Sequence, residues 1–492
     1  MIEHSRLTHK LHLKFSKESL LAIFLILPSI FLVFITYLYP AIFTFIISFA
    51  EYDIVRLNIK KFVISYCEWI LMSKKNQNNL RVVTGRDGRE SGLEIHKLVN
   101  ETIISCGINV LDLGLSTTPS VGFSIPRTKS QGGIIITASH NPKEWNALKL
   151  LDGNGEFIDK EAGELIVNKV DNIKIENFKK EKIGNIDYKE AYYENHIDEI
   201  LKIPFLNLNK IKSKNYRVVV DGINSTGGIA VPYLLGKLNI KCIELNCIPD
   251  GNFSHNPEPL KENLKELCES VKLNSADFGI AVDPDVDRLV LVDEKGEVFG
   301  EEYTLVVCAD YILKKTPGNT VSNLSSTRAL SDLTKKYGKK YFSSPVGEVN
   351  VVKKMKENNA VIGGEGNGGV IYPKTHYGRD ALIGILFFIS HLVEKNISVS
   401  ELKKIYPQYF MNKNKVELSG NTDTGFLLKK LENFYKKEKI NKEDGLKIDF
   451  KESWAHIRKS NTEMILRVYT EAKTEDKAKS LSKEIVEKIM EI

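Results

Sequence analysis

Three aspartates occupy alternate positions in the segment Asp283-Pro-Asp-Val-Asp-Arg288, between the apolar runs FGIAV and LVLVD. On an extended loop, side chains at positions i, i+2 and i+4 share one side. Asp283, Asp285 and Asp287 can therefore converge on one hard cation such as Mg²⁺. A calcium loop fits less well, because Arg288 stands where that motif has glycine. A solvated acidic turn is the other interpretation, although packing three carboxylates between apolar strands is costly without a counter-ion.

A serine follows another apolar run in the segment TASHNP, residues 137–142. A strand that ends there can present the Ser139 hydroxyl at the carboxyl edge of a parallel sheet, where ligands bind in open α/β folds. His140, the next residue, is a second candidate catalytic group. Lys149, ten positions after the serine, stands where a second strand could return it to the same edge. An ordinary Ser-x-Asn-Pro turn and a surface lysine are the alternatives.

A glycine-rich segment, GGEGNGG at residues 363–369, lies between the apolar runs AVI and VIYP. Its Glu365 and Asn367 can bond to sugar hydroxyls, while glycine lets the backbone come close. We expect a mobile loop between two strands. A flexible hairpin without a ligand is the alternative.

Two loops carry pairs of arginines. The segment RKSNTEMILR combines guanidinium, hydroxyl and amide groups, which together suit a phosphate dianion. Its candidate phosphate ligands are Arg458, Ser460, Asn461, Thr462 and Arg467. Ser460 to Glu463 also fits a helix capping box. In GRDGRESG, residues 85–92, two more arginines follow a strand, and a solvated loop is the alternative.

The elements that must position these residues are short β-branched runs alternating with helical patterns, as in RVVTG, INVLDLG and GGIIITASH. That order predicts βαβ units and mostly parallel mixed sheets. The pattern recurs at RVVVDGINSTGG and again at NTVSNLSSTRAL, which predicts three related α/β domains. The segment after about residue 410 predicts a smaller α+β domain.

The first fifty residues differ from the rest, because residues 20–50 contain no charged side chain. At about 1.5 Å per helical residue this run exceeds the roughly 30 Å of a bilayer core, so we expect an N-terminal hydrophobic helix and membrane association. The run also resembles the first membrane helix of ABC-type sugar-transporter permeases, and we interpret it as a remnant or fusion. A buried core helix is the alternative.

Length and composition exclude several classes of protein. With 492 residues, 42% hydrophobic and 27% charged, the chain is a folded multidomain protein rather than a disordered or fibrous one. A net charge of +6 is too small for a dedicated nucleic-acid binder. The six cysteines form no C-x-x-C pair, which indicates reduced thiols rather than a zinc site or disulfide framework.

Taken in order, TASHNP, DPDVDR, GEGNGG and RKSNTE resemble the motifs of the α-D-phosphohexomutase superfamily of phosphoglucomutases, phosphomannomutases and phosphoglucosamine mutases. The resemblance spans about residues 58 to 492 and implies four domains around a central cleft, the first three sharing an α/β fold. The expected boundaries are 1–57 for the hydrophobic segment, 58–200 for the catalytic serine, 201–310 for the metal loop, 311–410 for the sugar-binding loop and 411–492 for phosphate binding.

The resemblance also implies a role for each motif. Ser139 matches a phosphorylated catalytic serine that also contacts the metal, and Lys149 matches a proton-transferring lysine. The aspartates match Mg²⁺ ligands, and Arg288 matches the arginine beside them. Glu365 and Asn367 match a sugar-hydroxyl loop. The ligands named above in RKSNTEMILR match the clamp on the substrate's phosphate.

The activity implied is a cytoplasmic, Mg²⁺-dependent exchange of hexose 6-phosphate and hexose 1-phosphate, primed by a hexose 1,6-bisphosphate. The segments ASHNPKEWNALKLLDGNGEF and SPVGEVNVV look most like phosphoglucosamine mutases, with phosphomannomutase/phosphoglucomutase second. An S-G-I-R-G loop with a catalytic-site arginine is replaced by the hydrophobic head, which predicts lower activity. Smaller departures are Pro284, Asn367 and Met464. The rival class is a non-enzymatic membrane protein, which the head alone supports.

Overall fold

The structure is a computed structural model that describes residues 39–73, 79–175, 183–418, 423–460 and 464–492. Its internal contacts divide the chain into two units, residues 1–61 and 62–492. Helix α1 spans Tyr39–Ser73, and its beginning, residues 39–61, is the described part of the first unit.

Helix α1 changes character along its length. Pro40 lies in its first turn, where proline costs no hydrogen bond. In the second unit its apolar face is buried at helical spacing through Val63, Tyr66, Cys67 and Ile70. The Tyr66 hydroxyl donates to the carbonyl oxygen of Leu151 at 2.6 Å, which anchors this end of the helix.

The predicted membrane span at residues 20–50 lies outside the described residues as far as residue 38, and residues 39–50 form the start of α1. No helix in the described part of the chain is both long enough and apolar enough to cross a membrane. The prediction of an N-terminal hydrophobic helix that spans a membrane is therefore not supported in the described residues, because α1 continues through charged residues from Glu51 to Lys61.

The first sheet contains five strands in the order β4-β3-β1-β2-β5. The β3–β4 pair is antiparallel and the other pairs are parallel. Its strands are β1 Arg81–Arg86, β2 Asn109–Leu115, β3 Gly132–Ile136, β4 Leu148–Leu151 and β5 Ile186–Tyr188. The helices of this region are α2 Gly92–Ser105, α3 Thr118–Arg127, α4 Lys160–Val170 and α5 Tyr192–Ile200.

The second and third sheets repeat the order of the first four strands. They run β7-β6-β8-β9 and β11-β10-β12-β13, each with one antiparallel pair at the end. The second region comprises α6 Leu208–Lys212, β6 Arg217–Asp221, α7 Gly227–Lys237, β7 Lys241–Leu245, α8 Lys265–Leu273, β8 Phe278–Val282 and β9 Leu289–Asp293. The third comprises α9 Glu301–Lys315, β10 Asn319–Asn323, α10 Ala329–Lys336, β11 Tyr341–Ser344, α11 Glu348–Glu357, β12 Ala360–Glu365, β13 Gly369–Ile371, α12 Ala381–Lys395 and α13 Val399–Lys404.

The fourth sheet is antiparallel, in the order β14-β18-β17-β16-β15. Its elements are β14 Phe410–Glu417, α14 Thr424–Phe434, β15 Lys439–Asn441, β16 Leu446–Asp449, β17 Trp454–Lys459, β18 Ile465–Ala472 and α15 Glu475–Met490. One face of the sheet packs into a core with α14 and α15 through residues such as Ile457, Val468 and Ile485. The opposite face is therefore left for polar contacts.

The strands that lead into the candidate site are buried over their full length. Every residue of β3, β8 and β9 is buried, which is typical of strands covered on both faces. A large apolar core joins the second and third regions, and α12 lies almost wholly inside it. All six cysteines are free thiols. The loops at the strand ends are thus attached to rigid supports.

Candidate active site

The acidic loop joins the ends of β8 and β9. Asp283, Asp285 and Asp287 have no solvent exposure, and their ligand atoms lie within 4.8 Å of one another. Val286 turns the chain between them with a φ of 62°, which is rare for a β-branched residue. Such strain is kept where surrounding contacts impose it, so the loop has a fixed shape.

Each aspartate is held through a defined oxygen. Asp283 Oδ1 accepts from the backbone N–H groups of Asp287 and Arg288, each at 3.0 Å. Asp285 Oδ2 accepts from Thr118 Oγ1 at 2.5 Å and from Lys149 Nζ at 2.6 Å.

The remaining oxygens of Asp285 and Asp287 differ in their hydrogen bonds. Asp287 Oδ2 accepts from Arg379 Nη2 at 2.6 Å. The Oδ1 atoms of Asp285 and Asp287 are buried and accept no hydrogen bond among the described residues. Buried carboxylate oxygens without partners are costly, and hard divalent cations prefer oxygen ligands. The donor set therefore fits one Mg²⁺-type ion.

The charges of the cluster depend on one another. Burial, and then Asp287 and Asp285, raise the pKa of Asp283 well above its usual range. Burial alone would lower the pKa of Lys149, but the carboxylates of Asp285 and Asp287 outweigh it and raise the pKa. Lys149 is therefore a charged ammonium that offsets part of the negative charge of the acidic cluster.

Ser139 lies where β3 ends, against the acidic loop. Its hydroxyl donates to Asp283 Oδ2 at 2.7 Å, and its backbone N–H donates to Thr137 Oγ1 at 2.9 Å. The residue has a φ of 50°, a left-handed conformation that turns the chain sharply. The serine side chain thus directly contacts the carboxylate cluster, as the sequence predicts for a shared site.

His140 lies between the serine and Arg288. Its Nδ1 atom is 3.4 Å from Ser139 Oγ, and its Nε2 atom is 3.4 Å from Arg288 Nη2. Burial, followed by the charges of Arg288 and Arg379, lowers the pKa of His140 to about 3. The imidazole is therefore neutral at physiological pH. Arg288 also forms an ion pair with Glu258 at 3.3 Å.

Arg89 holds the loop that contains Ser139. It belongs to GRDGRESG, the segment for which a solvated loop was the alternative prediction. Its guanidinium is fully buried and bonds to Asp87 Oδ2 at 3.0 Å. It donates to four backbone carbonyl oxygens, those of Ser139, Asn141, Pro142 and Trp145. The GRDGRESG motif pointed to arginines at this strand end, but its sequence does not reveal that one of them fixes the serine loop.

Glu365 and Asn367 lie on the hairpin between β12 and β13. Glu365 Oε1 accepts from Asn323 Nδ2 at 2.8 Å and from the backbone N–H of Gly347 at 3.0 Å. Its Oε2 accepts from Arg379 Nη1 at 2.9 Å. Asn367 Oδ1 accepts from the N–H of Gly369 within its own turn at 3.2 Å.

The turn is packed rather than the mobile loop expected. The Gly366 N–H donates to Ser326 Oγ at 3.0 Å, and the Gly368 carbonyl accepts from the Leu289 N–H at 3.1 Å. Gly368 has a φ of 90°, and a Cβ there would lie 2.4 Å from the carbonyl oxygen of Leu289. Glycine is needed because the turn touches the end of the acidic loop.

The predicted phosphate loop lies on the fourth sheet. Arg458 of β17 and Arg467 of β18 are directly opposite in the register, and Lys415 of β14 is opposite Arg467. Like charges placed opposite one another are destabilising, so this row of three cations suits an anion. Lys415 was not among the predicted phosphate ligands, although the alternation of Lys413 and Lys415 in NKNKVE indicates a strand with lysines on one face.

Of the other predicted phosphate ligands, the structure describes only Ser460. Ser460 is buried, whereas Asn461 and Thr462 lie outside the described residues. The described hydrogen bonds do not link Arg458 to Ser139. The fourth sheet is fixed to the third by His456, whose Nδ1 lies 2.8 Å from Ser325 Oγ.

Comparison with known families matches four consecutive parts of the chain. They match the phosphoglucomutase/phosphomannomutase alpha/beta/alpha domains I, II and III at residues 51–177, 193–296 and 300–409, and the C-terminal domain at residues 394–488.

Comparison with individual proteins gives similar relatives. A phosphoglucomutase/phosphomannomutase of Thermococcus kodakarensis is 35% identical over 413 residues, which are 83% of this chain and 90% of that protein. A phosphoglucosamine/phosphogalactosamine mutase of Sulfurisphaera tokodaii is 31% identical over 426 residues, 84% and 92% of the two chains. A phosphoglucomutase/phosphomannomutase family protein of Burkholderia thailandensis has a similar fold, with a TM-score of 0.75, 22% identity, and coverage of 89% and 93%.

Proposed function

The chain belongs to the phosphoglucomutase/phosphomannomutase family and is a phosphohexomutase, and we propose that Ser139 carries the phosphoryl group which it transfers. The observation that supports this role is the 2.7 Å hydrogen bond from Ser139 Oγ to Asp283, inside a buried cluster of three carboxylates. Few structural roles require a reactive hydroxyl at such a cluster.

Asp283, Asp285 and Asp287 would hold one Mg²⁺ ion together with the Ser139 oxygen. Such an ion supplies charge neutralisation to the oxygens of a phosphoryl group in transfer. The relevant atoms are the Oδ1 atoms of Asp285 and Asp287, which accept no hydrogen bond among the described residues, together with Asp283 Oδ2, which faces the serine.

The exchange has two halves. In the first, the bond between phosphorus and Ser139 Oγ breaks, a new bond forms to a free hydroxyl of the hexose phosphate, and the hydroxyl proton is transferred to the serine oxygen. In the second, the resulting hexose bisphosphate returns its other phosphoryl group to Ser139. Lys149 is the group proposed to carry the proton, because its ammonium bonds to Asp285 beside the serine and can donate a proton and recover one.

The other predicted residues bind the sugar and its second phosphate. Glu365 and Asn367 would orient the ring hydroxyls, and the cationic row with Ser460, Asn461 and Thr462 would hold the phosphate that is not transferred. A clamp of charges and hydroxyls accepts phosphate at either end of a hexose, as a two-step exchange requires.

We favour glucosamine phosphate as the substrate, which agrees with the name of the Sulfurisphaera tokodaii relative. The second candidate is a glucose or mannose phosphate, as the name of the Thermococcus kodakarensis relative indicates. An amine and a hydroxyl at C2 differ little to a glycine-rich loop, so assay must decide.

The test is turnover of the three hexose 6-phosphates by the purified protein with Mg²⁺ and a hexose 1,6-bisphosphate primer. We expect glucosamine 6-phosphate to have the highest kcat/KM, and the intact mass to show one added phosphoryl group. Ser139→Ala should lose both, whereas Ser213→Ala, an exposed serine that bonds only to the Lys210 carbonyl, should keep both. Turnover by Ser139→Ala at the wild-type rate would reject the proposal. No turnover by the wild type would instead favour an inactive mutase lacking its N-terminal arginine loop.

Membrane association through residues 20–50 stays a prediction from sequence. Membrane fractionation of the full chain and of a chain without residues 1–55 tests it. Equal recovery of both in the supernatant would reject an anchor.

A further inference from the structure

Arg379 joins three carboxylates that come from different parts of the fold. Its Nη2 donates to Asp287 of the acidic loop at 2.6 Å, and its Nη1 donates to Glu365 of the β12–β13 hairpin at 2.9 Å. Its Nε donates to Glu348, the first residue of α11, at 2.8 Å. The Arg379 side chain is 10% exposed, and the side chains of its three partners are each 8% exposed or less.

The residues around Arg379 fix the path of its side chain and the position of its backbone. A Cβ on Gly369 would lie 2.3 Å from Arg379 Cδ, so glycine leaves the path that the arginine follows. The next residue, Asp380, caps α12 by accepting from the Leu382 N–H at 2.9 Å. Asp380 Oδ2 also lies 3.2 Å from His196 Nε2 and 3.3 Å from His376 Nε2.

Arg379 fixes the orientation of the Asp287 and Glu365 carboxylates by occupying one oxygen of each. It occupies Asp287 Oδ2 and leaves the buried Oδ1 without a hydrogen bond. On Glu365 it occupies Oε2, and Asn323 and Gly347 share Oε1. A rotation of either carboxylate would break a buried, charge-assisted bond, which is strongly unfavourable.

We propose that Arg379 is a positioning residue that couples the metal site to the sugar-binding hairpin, so that Mg²⁺ and hexose phosphate each strengthen binding of the other. This inference rests on the proposed function, because it assigns Asp287 to the metal and Glu365 to the sugar. The coupling is reciprocal by thermodynamic linkage. In this proposal Arg379 acts through the Asp287 and Glu365 carboxylates to which it bonds.

The experiment compares Arg379→Met and Arg379→Lys with the wild type. Calorimetric titration measures Mg²⁺ affinity with and without glucosamine 6-phosphate, and kinetics measure how KM depends on Mg²⁺. In the wild type we expect glucosamine 6-phosphate to tighten Mg²⁺ binding by about tenfold, within the usual range of coupling. In Arg379→Met that factor should fall to about one, with partial recovery in Arg379→Lys.

Arg127→Met is the matched control, because Arg127 reaches the same 372–380 segment through the carbonyl of Thr375 but bonds to no carboxylate of the site. It should keep the wild-type coupling. If Arg379→Met lowers the melting temperature yet keeps the coupling factor within about twofold, the arginine is merely structural and the inference fails. If Arg379→Met does not fold, the uncharged Arg379→Gln replaces it and is judged by the same criterion.

The two proposals fail in different ways. A wild type that binds both ligands with coupling but turns over no hexose phosphate rejects the proposed function and leaves the coupling in place. A wild type that turns over substrate without any coupling between Mg²⁺ and substrate rejects the inference about Arg379 alone.

Discussion

At the scale of single residues, Arg89 shows how a buried cation can shape the loop that carries the proposed catalytic serine. It donates to four carbonyl oxygens between Ser139 and Trp145 and is itself held by Asp87. A planar guanidinium can reach several acceptors at once, whereas the ammonium of lysine donates from a single atom.

We therefore expect Arg89→Lys to lower kcat by about a hundredfold, because a small misplacement of Ser139, the proposed catalytic group, is enough for such a loss. Steady-state kinetics with the preferred hexose phosphate measure it. Arg86→Lys is the control, since the half-buried Arg86 side chain bonds to the Asp87 carbonyl and not to the serine loop. Equal kcat values for the two variants would contradict this role of Arg89.

The second residue-level prediction concerns the protonation of His140. Because its pKa is lowered to about 3, the imidazole stays neutral from pH 5 to 8, where an ordinary histidine changes charge. NMR of the ring Cε1–H, assigned by comparison with His140→Gln, should show no titration across that interval. The pH profile of kcat/KM should keep the same shape in that variant, with any inflection near 6 arising from the substrate's phosphate. A titration midpoint near 6.5 would contradict the prediction.

The contrast between the motif residues and the two buried arginines explains what sequence can predict at this scale. Ser139 and the aspartates lie within short segments whose spacing carries their chemistry. Arg89 and Arg379 gain their importance from partners far along the chain, such as Asp287, which is 92 positions from Arg379. No local pattern distinguishes a buried arginine of this kind from a solvated one.

At the scale of elements, the β-branched runs were sufficient to locate strands. RVVTG, INVLDLG and the start of GGIIITASH lie in β1, β2 and β3, and NTVSN is β10. Fully buried parallel strands read as continuous apolar runs, which explains the success. The cationic row was not predictable, because the register that aligns Lys415, Arg467 and Arg458 depends on which strands become neighbours.

Two glycines of the first region provide a test of element packing. Gly155 has a φ of 80°, and a Cβ there would lie 2.0 Å from the carbonyl oxygen of Gly122, in the middle of α3. Gly163 lies within α4, and no heavy atom lies within 4 Å of the position of its Cβ. Gly155→Ala should therefore destabilise by about 1–3 kcal/mol. Gly163→Ala should stabilise by up to about 1 kcal/mol through helix propensity.

Urea unfolding followed by circular dichroism measures both changes. The same substitution is expected to have opposite signs, so a general effect of glycine replacement cannot produce the result. A stabilising Gly155→Ala would show that the turn at Gly155 does not approach α3 as closely as described.

At the scale of the whole molecule, the site is assembled from loops of three sheets. Ser139 follows a strand of the first sheet, the aspartates follow a strand of the second, and Arg379 follows the last strand of the third. Thr118, the first residue of α3, donates to Asp285 and so joins the first region directly to the acidic loop. The order of the strands follows from the sequence repeat, but this meeting of the three regions does not.

Because the cluster links three regions, a metal bound there should stabilise the whole body against unfolding. The three buried carboxylates repel one another, and the raised pKa of Asp283 reflects this together with burial. A ligand at a hundred times its Kd adds about 2.7 kcal/mol of stability. We therefore expect Mg²⁺ to raise the melting temperature by a few degrees and EDTA to reverse the change, as followed by circular dichroism.

The gain in melting temperature from Mg²⁺ should be smaller at lower pH, because an Asp283 with a raised pKa is then protonated and must release its proton to bind metal. Asp285→Asn, which removes one ligand charge, should lose most of the Mg²⁺ effect, whereas the remote Asp310→Asn should keep it even if its own stability falls. A melting temperature that does not respond to Mg²⁺ in the wild type would contradict a metal site shared by the three regions.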